Sequence, residues 1–250
     1  MIKKIIAVLL LAPALAFAAG SDVPLDRAPI NPNDMPSLQR GAALFVNYCL
    51  NCHSANYMRY NRLTDLGLNE KEILDNFVAR FSGGKVGDLM KITMDLEDAK
   101  TWFGAAPPDL TVIARSRSSH AGSGADWLYT YMRGFYRDGS RPTGWNNVAF
   151  PNVGMPHVLW GLQGEQELKP AQRRAEGYMA TVEKPVLTKP GKLSPLEYDR
   201  AVADLVNYLV YMAEPAAQSR KTIGMLVLAF LTGLIFLVYA MKKSYWKDVH

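Results

Sequence analysis

The chain has 250 residues, 49% of them hydrophobic, with a formal net charge of +5 and only two cysteines. Two cysteines are too few for a multi-cysteine zinc ribbon. The positive charge sits mostly at the ends, falling to +3 without Lys3 and Lys4 and to +1 once Lys242, Lys243, Lys247 and Asp248 (net +2) are set aside, so the middle of the chain has no basic excess and no nucleic-acid partner is expected.

Residues 1–18 open with Lys3 and Lys4, run apolar from Ile5 to Leu15 and close on Ala16-Phe17-Ala18, the small-x-small pattern of a cleaved signal peptide. A mature chain beginning near Ala19 is therefore exported. Residues 19–220 are long enough for one domain with its own core.

Ser37 is placed to cap a first helix, with Leu38, Ala42 and Phe45 on one face, leading into Cys49-Leu50-Asn51-Cys52-His53. Cys-x-x-Cys-His is the spacing that attaches haem c: two thiols form thioethers with the two vinyl groups, and the adjoining imidazole is the proximal iron ligand. A zinc or dithiol redox site is the competing reading. The remaining histidines, His120, His157 and His250, are scattered, and no βαβ pattern surrounds the motif. One covalently attached haem c per chain is expected, using both cysteines.

Asn69 is placed to cap a second helix with Ile73, Phe77 and the Leu74, Val78 pair on its apolar side, and shorter helices are expected near Leu96 to Phe103, Leu110 to Arg115 and Asp126 to Phe135. Between Asp65 and Asp98 eight acids face four bases, a net of −4 that would suit a basic soluble partner, although interleaved charges also describe an ordinary solvated surface. Gly83 to Gly87, Pro107-Pro108, Arg137 to Gly144 and Val182 to Lys192 are rich in turn formers and read as irregular connections. Ser194-Pro195-Leu196-Glu197 is a capping box with proline at the first helical position, followed by an apolar stripe through Leu205, Leu209 and Met212 to an interruption at Glu214-Pro215. That helix is expected to pack on the haem-bearing one.

Thr222 to Met241 is a charge-free run between Arg220-Lys221 and Lys242-Lys243, so 221–241 is assigned as one transmembrane helix, about 30 Å long. Both flanks are basic, and orientation follows from the exported chain start, which leaves 242–250 as a cytoplasmic tail. Gly224, Thr232 and Gly233 are its candidates for close helix contact, against the alternative that they simply face lipid.

The iron's sixth ligand follows from chemistry and position. A thioether sulfur raises the potential relative to a second imidazole. Met155 lies in the stiff loop Pro151-Asn152-Val153-Gly154-Met155-Pro156, while Met90 and Met94 lie beside a helix without such a loop, and His157 or His120 would give a bis-imidazole site. Pro107 and Pro108 offer a donor-free edge to the ring plane, and Trp127, Tyr131 and Trp160 are further candidates for its pocket.

The order of Cys-Leu-Asn-Cys-His, Ala106-Pro107-Pro108-Asp109-Leu110-Thr111, Gly154-Met155-Pro156 and an anchor ending Tyr239-Ala240-Met241-Lys242-Lys243 resembles the cytochrome c1 family, the haem c subunits of quinol:cytochrome c oxidoreductase (bc1) complexes. The resemblance implies an all-α, cytochrome c-like haem domain with long irregular loops plus one C-terminal transmembrane helix, in a bacterial inner membrane with the haem domain in the periplasm. It implies His53 and Met155 as iron ligands and an arginine, Arg117 or Arg115, on a haem propionate, with solvated charge as the competing reading of both. It also implies partners: a cytochrome b subunit, a Rieske iron-sulfur protein as donor, a soluble c-type cytochrome as acceptor, and membrane lipid. Such a chain is an electron-transfer subunit without a substrate pocket. The alternatives are an anchored cytochrome of another respiratory enzyme, or a haem sensor or enzyme with an open iron position.

Overall fold

The structure is a computed structural model that describes residues 24–79, 84–92, 94–175 and 178–248. Residues 1–18, read above as a signal peptide, lie outside the described residues.

Helix α1 spans Met35–Leu44 and continues as a π turn over Phe45–Cys49. Its cap is Asp34, whose carboxylate accepts from the Ser37 amide at 3.0 Å, so the helix begins two residues before the expected Ser37 cap. Pro36 is tolerated because first-turn amides lack helical partners anyway. Leu38, Ala42 and Phe45 are all buried, as their spacing predicts. The widened turn closes with the Leu50 amide donating to Phe45 O at 3.0 Å, one residue wider than an α-turn, and hands the chain to the Cys-x-x-Cys-His motif.

A short strand β1 (Ala55–Arg59) and a 3-10 turn (Tyr60–Leu66) lead to α2 (Glu70–Ile73), which extends as a second π turn over Leu74–Val78. Asn69 caps α2 in a reciprocal box with Glu72. Ile73, Phe77 and Val78 are buried, but Leu74 is 41% exposed, because the wider turn rolls it off the apolar side. Strand β2 (Leu89–Met90) pairs with β1. Then follow α3 (Leu96–Phe103), as expected, α4 (Ile113–Ser116) and α5 (Gly124–Arg133). Helix α4 is shorter than Leu110 to Arg115, because Asp109 takes the Thr111 amide at 2.8 Å in a turn. The Ser123–Asp126 capping box starts α5 two residues early, and Gly134 ends it before Phe135.

Strands β3 (Phe135–Arg137) and β4 (Trp145–Asn147) form a small antiparallel pair, and after α6 (Trp160–Gln163) the chain makes a long hairpin of β5 (Gly164–Ala175) and β6 (Tyr178–Pro190). The fold is thus not all-α, and Val182 to Lys192 is largely strand. Pro185 and Pro190 lie in the stretch read as an irregular connection, yet a two-stranded ribbon has two free edges on which prolines, Pro170 included, cost no ladder bond. Arg137 and Lys189 both hold Glu165 at the hairpin base, at 2.9 and 3.0 Å.

Helix α7 (Pro195–Ala213) has the expected Ser194–Glu197 capping box and stops before Glu214-Pro215. It packs on α1 and closes the core. Phe45 meets Tyr208 with ring centroids 5.6 Å apart, Arg40 pairs with Asp204 at 2.6 Å, and Tyr208 donates to Met90 Sδ at 3.6 Å. Arg133 reaches both Asp26 and Asp199, at 2.7 and 2.6 Å, tying the N-terminal segment and α7 to α5. Helix α8 (Ala217–Tyr245) contains the charge-free run and is long and apolar enough to cross a membrane, with its large apolar side chains exposed along its length.

The α1–α7 contact has no room for a side chain. A Cβ on Gly41 would lie 2.0 Å from the carbonyl oxygen of Asp204. Gly41→Ala should therefore force the helices apart and destabilise the domain by about 3 kcal/mol, whereas Gly139→Ala, with no atom within 4 Å of the added Cβ, should be close to neutral. Denaturant unfolding of the two purified full-length variants compares them, and equal midpoints would refute the contact.

Candidate haem site

One cavity of about 370 Å³ gathers the motif and the loop identified in the sequence. Cys49, Cys52 and His53 form one wall with Tyr48, Pro107 and Pro108 form an edge, and Val153, Gly154, Met155 and Pro156 lie on the loop side. The remaining lining is mainly apolar and includes Ile113, Leu128 and Met132, on a scale suited to a buried organic cofactor.

The motif is wound tightly: the amides of Cys52 and His53 both donate to Cys49 O, at 3.1 and 2.9 Å. Burial pushes the free Cys49 thiol up to about 12, with Cys52 adding to the shift. Helix α3 ends at Gly104, whose φ of +76° turns the chain into Ala105-Ala106-Pro107-Pro108 along the cavity. That segment is stitched to the residues after His53. Leu110 N donates to Ser54 O at 2.9 Å, and Asn56 N donates to Asp109 at 2.7 Å. The stitching brings Pro108 O to 2.7 Å from His53 Nδ1. A carbonyl only accepts, so Nδ1 carries the proton and Nε2 keeps its lone pair. Burial lowers the His53 pKa against the opposing pull of Pro108 and Asp109, which favours the neutral, ligating form.

The Met155 loop is shaped by side chains. Asn146 Oδ1 accepts from the amides of Asn147 and Asn152, at 2.9 and 2.8 Å. Asn147 accepts from Ala149 and Phe150 and donates to Tyr131 O at 2.7 Å. Arg141 donates to Asn152 O at 2.9 Å. Asn152 sits at φ 63°, a left-handed conformation that asparagine tolerates better than most residues. Nothing in the spacing of these polar residues marks them as the loop's framework. The only sequence signal was the Asn146-Asn147 pair itself, in a strand too short to show alternation.

The candidate ligands and pocket residues separate. Arg117 lines the cavity, with its guanidinium 4.5 Å from the Trp127 ring centroid, and Arg115 does not line it. Trp127 and Tyr131 line it, and Trp160 does not. His157 is buried outside the lining, stacked on Phe135 at 4.8 Å and edge-on to Trp145 at 5.1 Å. Neither of its ring nitrogens has a hydrogen-bond partner among the described residues; burial pushes it down to about 4, and the Gln163 amide opposes the shift from outside hydrogen-bond geometry. His120 is exposed, and Met90 is committed to Tyr208 in the core. The residues present fit haem c: two thiols and an imidazole on one wall, a thioether facing the same apolar space, and a guanidinium at the margin able to meet a carboxylate.

A family model described as the Cytochrome C1 family matches residues 26–249. The chain is 49% identical over 243 residues to the cytochrome c1 of Allochromatium vinosum, covering 97% of this chain and 96% of the relative. It is 50% identical over 250 residues to a Nitrosomonas europaea protein named ammonia monooxygenase gamma subunit, covering 100% of this chain and 99% of the relative. The cytochrome c1 of Rhodospirillum rubrum is 27% identical over 242 residues, covering 86% of this chain and 83% of the relative. Covalent haem c is a property of this family, and Cys49 and Cys52 are in position to hold it.

Replacing both Cys49 and Cys52 by alanine should abolish covalent haem entirely, since the chain has no other thiol. Haem staining after denaturing electrophoresis reads the result. A stained band at full length would overturn the attachment site.

Proposed function

The chain belongs to the cytochrome c1 family, a haem c subunit of bc1 complexes, and from that premise we propose that it passes single electrons from a Rieske iron-sulfur protein to a soluble c-type cytochrome. The observation that carries this reading is the apolar cavity that both His53 and Met155 line, the latter from a braced loop. A chain that offers an imidazole and a thioether to one cavity suits outer-sphere electron transfer. An open-iron sensor or enzyme would need one position free.

Bound haem c supplies one reversible electron at its iron. The chain's own residues set the conditions. The Pro108 carbonyl fixes the His53 tautomer and leaves Nε2 with its lone pair for the iron. Met155 presents a soft sulfur that favours the reduced metal. Arg117, rather than Arg115, is the guanidinium at the cavity margin for a propionate, and Pro108 packs the edge without a donor that would need satisfying. The apolar walls exclude water, which holds the potential up and limits solvent rearrangement when the charge changes.

Cytochrome b and the Rieske protein are the partners within the complex, and lipid surrounds the C-terminal helix. In this reading 1–18 is removed, 19–220 lies in the periplasm, 221–241 crosses the bacterial inner membrane and 242–250 faces the cytoplasm. A second reading, an anchored cytochrome serving another oxidising enzyme, draws on the printed name of the Nitrosomonas relative. Co-purification decides between them: a cytochrome b recovered in constant ratio supports the first, and its absence from an intact, haem-loaded preparation favours the second.

Met155→Leu should keep covalent haem but lower its potential and admit carbon monoxide, because leucine roughly preserves volume while removing the donor, at a packing cost under about 1.5 kcal/mol. Redox titration and the carbon monoxide difference spectrum test it. A retained methionine-to-iron band with no carbon monoxide binding would reject Met155 as ligand.

Acceptor docking can be located more closely than the acidic stretch 65–98 alone allows. Glu72 is committed to the Asn69 cap, and Asp75 and Glu97 are each ion-paired on their own helix, to Lys71 and Lys100; Glu97 and Asp98 are singled out because they lie on α3, whose last residue, Phe103, lines the cavity. Glu97→Gln with Asp98→Asn should slow electron delivery to a basic soluble cytochrome by about 3-fold to 10-fold at low salt. The difference should vanish near 1 M salt, where the Debye length is only about 3 Å. Stopped-flow rates across ionic strength provide the check, and equal rates at low salt would exclude this surface.

A further inference from the structure

Tyr131 donates its hydroxyl hydrogen to Met155 Sδ across 3.4 Å. The ring is buried and held on two sides, stacked on Trp127 with centroids 4.8 Å apart and planes 12° from parallel, and edge-on to Phe135 at 5.1 Å. The Arg117 guanidinium lies over Trp127, and Asn147 holds the Tyr131 carbonyl at 2.7 Å. Both the ring and the backbone of Tyr131 are therefore fixed independently of the sulfur. A thioether has no proton to give, so the hydroxyl must be the donor. Sulfur is a weak acceptor, yet it is the partner that this buried hydroxyl has.

We propose that Tyr131 is a positioning residue that tunes the haem through Met155: its hydroxyl occupies one lone pair of the sulfur, leaves the other aimed into the cavity, and draws electron density away from it. The proposal rests on Met155 being the iron's ligand. A sulfur that donates less stabilises the oxidised metal less, and the reduced form gains relative to it, so the hydrogen bond raises the potential. Tyr131, Trp127 and Arg117 form a stacked column from the sulfur to the cavity margin, so the group meant for a propionate and the group that tunes the ligand share one rigid support.

The test is Tyr131→Phe in the full-length, haem-loaded protein, since phenylalanine keeps the ring and its stacking and removes only the donor. Covalent haem and the long-wavelength methionine-to-iron band should persist. At a fixed solution potential the oxidised-to-reduced ratio should rise about threefold, equivalent to a potential lower by about 28 mV at 59 mV per tenfold. In a Met155→Leu background the same substitution should change the ratio far less, because the acceptor is gone. A single variant with unchanged potential overturns the proposal, as does an equal shift in both backgrounds, which would mark a general change in polarity. A methionine-to-iron band that survives Met155→Leu removes the ligand assignment itself, and the role of Tyr131 falls with it.

Discussion

Helices α1 and α7 meet backbone to backbone at Gly41, and the position of nearly everything else in the domain follows from that contact. With no side chain between them, the carbonyl of Asp204 approaches to where a Cβ would have to be. Phe45 then reaches Tyr208, and Arg40 reaches Asp204. Both ends of α1 are set by this docking. The N-terminal end is capped by Asp34, and the C-terminal end opens into the π turn that releases Cys49. A motif that must present two sulfurs and an imidazole to one face needs a rigid origin, and the α1–α7 pair supplies it.

Much of this was legible in the chain because it rests on local rules. The Ser194–Glu197 box, the Asn69 cap and the break at Glu214-Pro215 depend on a few adjacent residues, and the structure has all three. The Leu38, Ala42, Phe45 stripe depends on helical period alone. The hairpin of 164–190 was hidden for the converse reason. Its prolines obey a rule about edges, and whether a strand is an edge depends on what lies beside it, which no local window contains. The Ser37 cap failed by three residues because serine and aspartate both fit the role, and only packing against α7 decides which one is used.

The candidate site divides along the same line. Cys49, Cys52, His53 and Met155 stood out because their chemistry is rare and their spacing or loop context is unusual. The groups that brace them are ordinary residues in ordinary company. Asn146 and Asn147 act through hydrogen bonds to amides several positions away, and Pro108 acts through a carbonyl that every residue possesses. Tyr131 and Trp127 were candidates for the pocket by aromatic type alone, as Trp160 was, and only the first two line it. What distinguishes them is direction, and direction comes only with the fold.

The joint between α7 and α8 limits how the domain behaves as a moving object. Three residues, Glu214 to Ala216, separate the two helices, so even fully extended they reach about 10 Å. They are not extended: Ala217 N donates to Glu214 O, and Arg220 folds back to pair with Glu214. A head on so short and bent a tether cannot sweep through the space above the bilayer. Its search volume is small, its height is nearly constant, and its effective concentration toward a neighbour in the same membrane is set by geometry rather than by diffusion. Any redox partner that has to close a gap must therefore do the travelling itself.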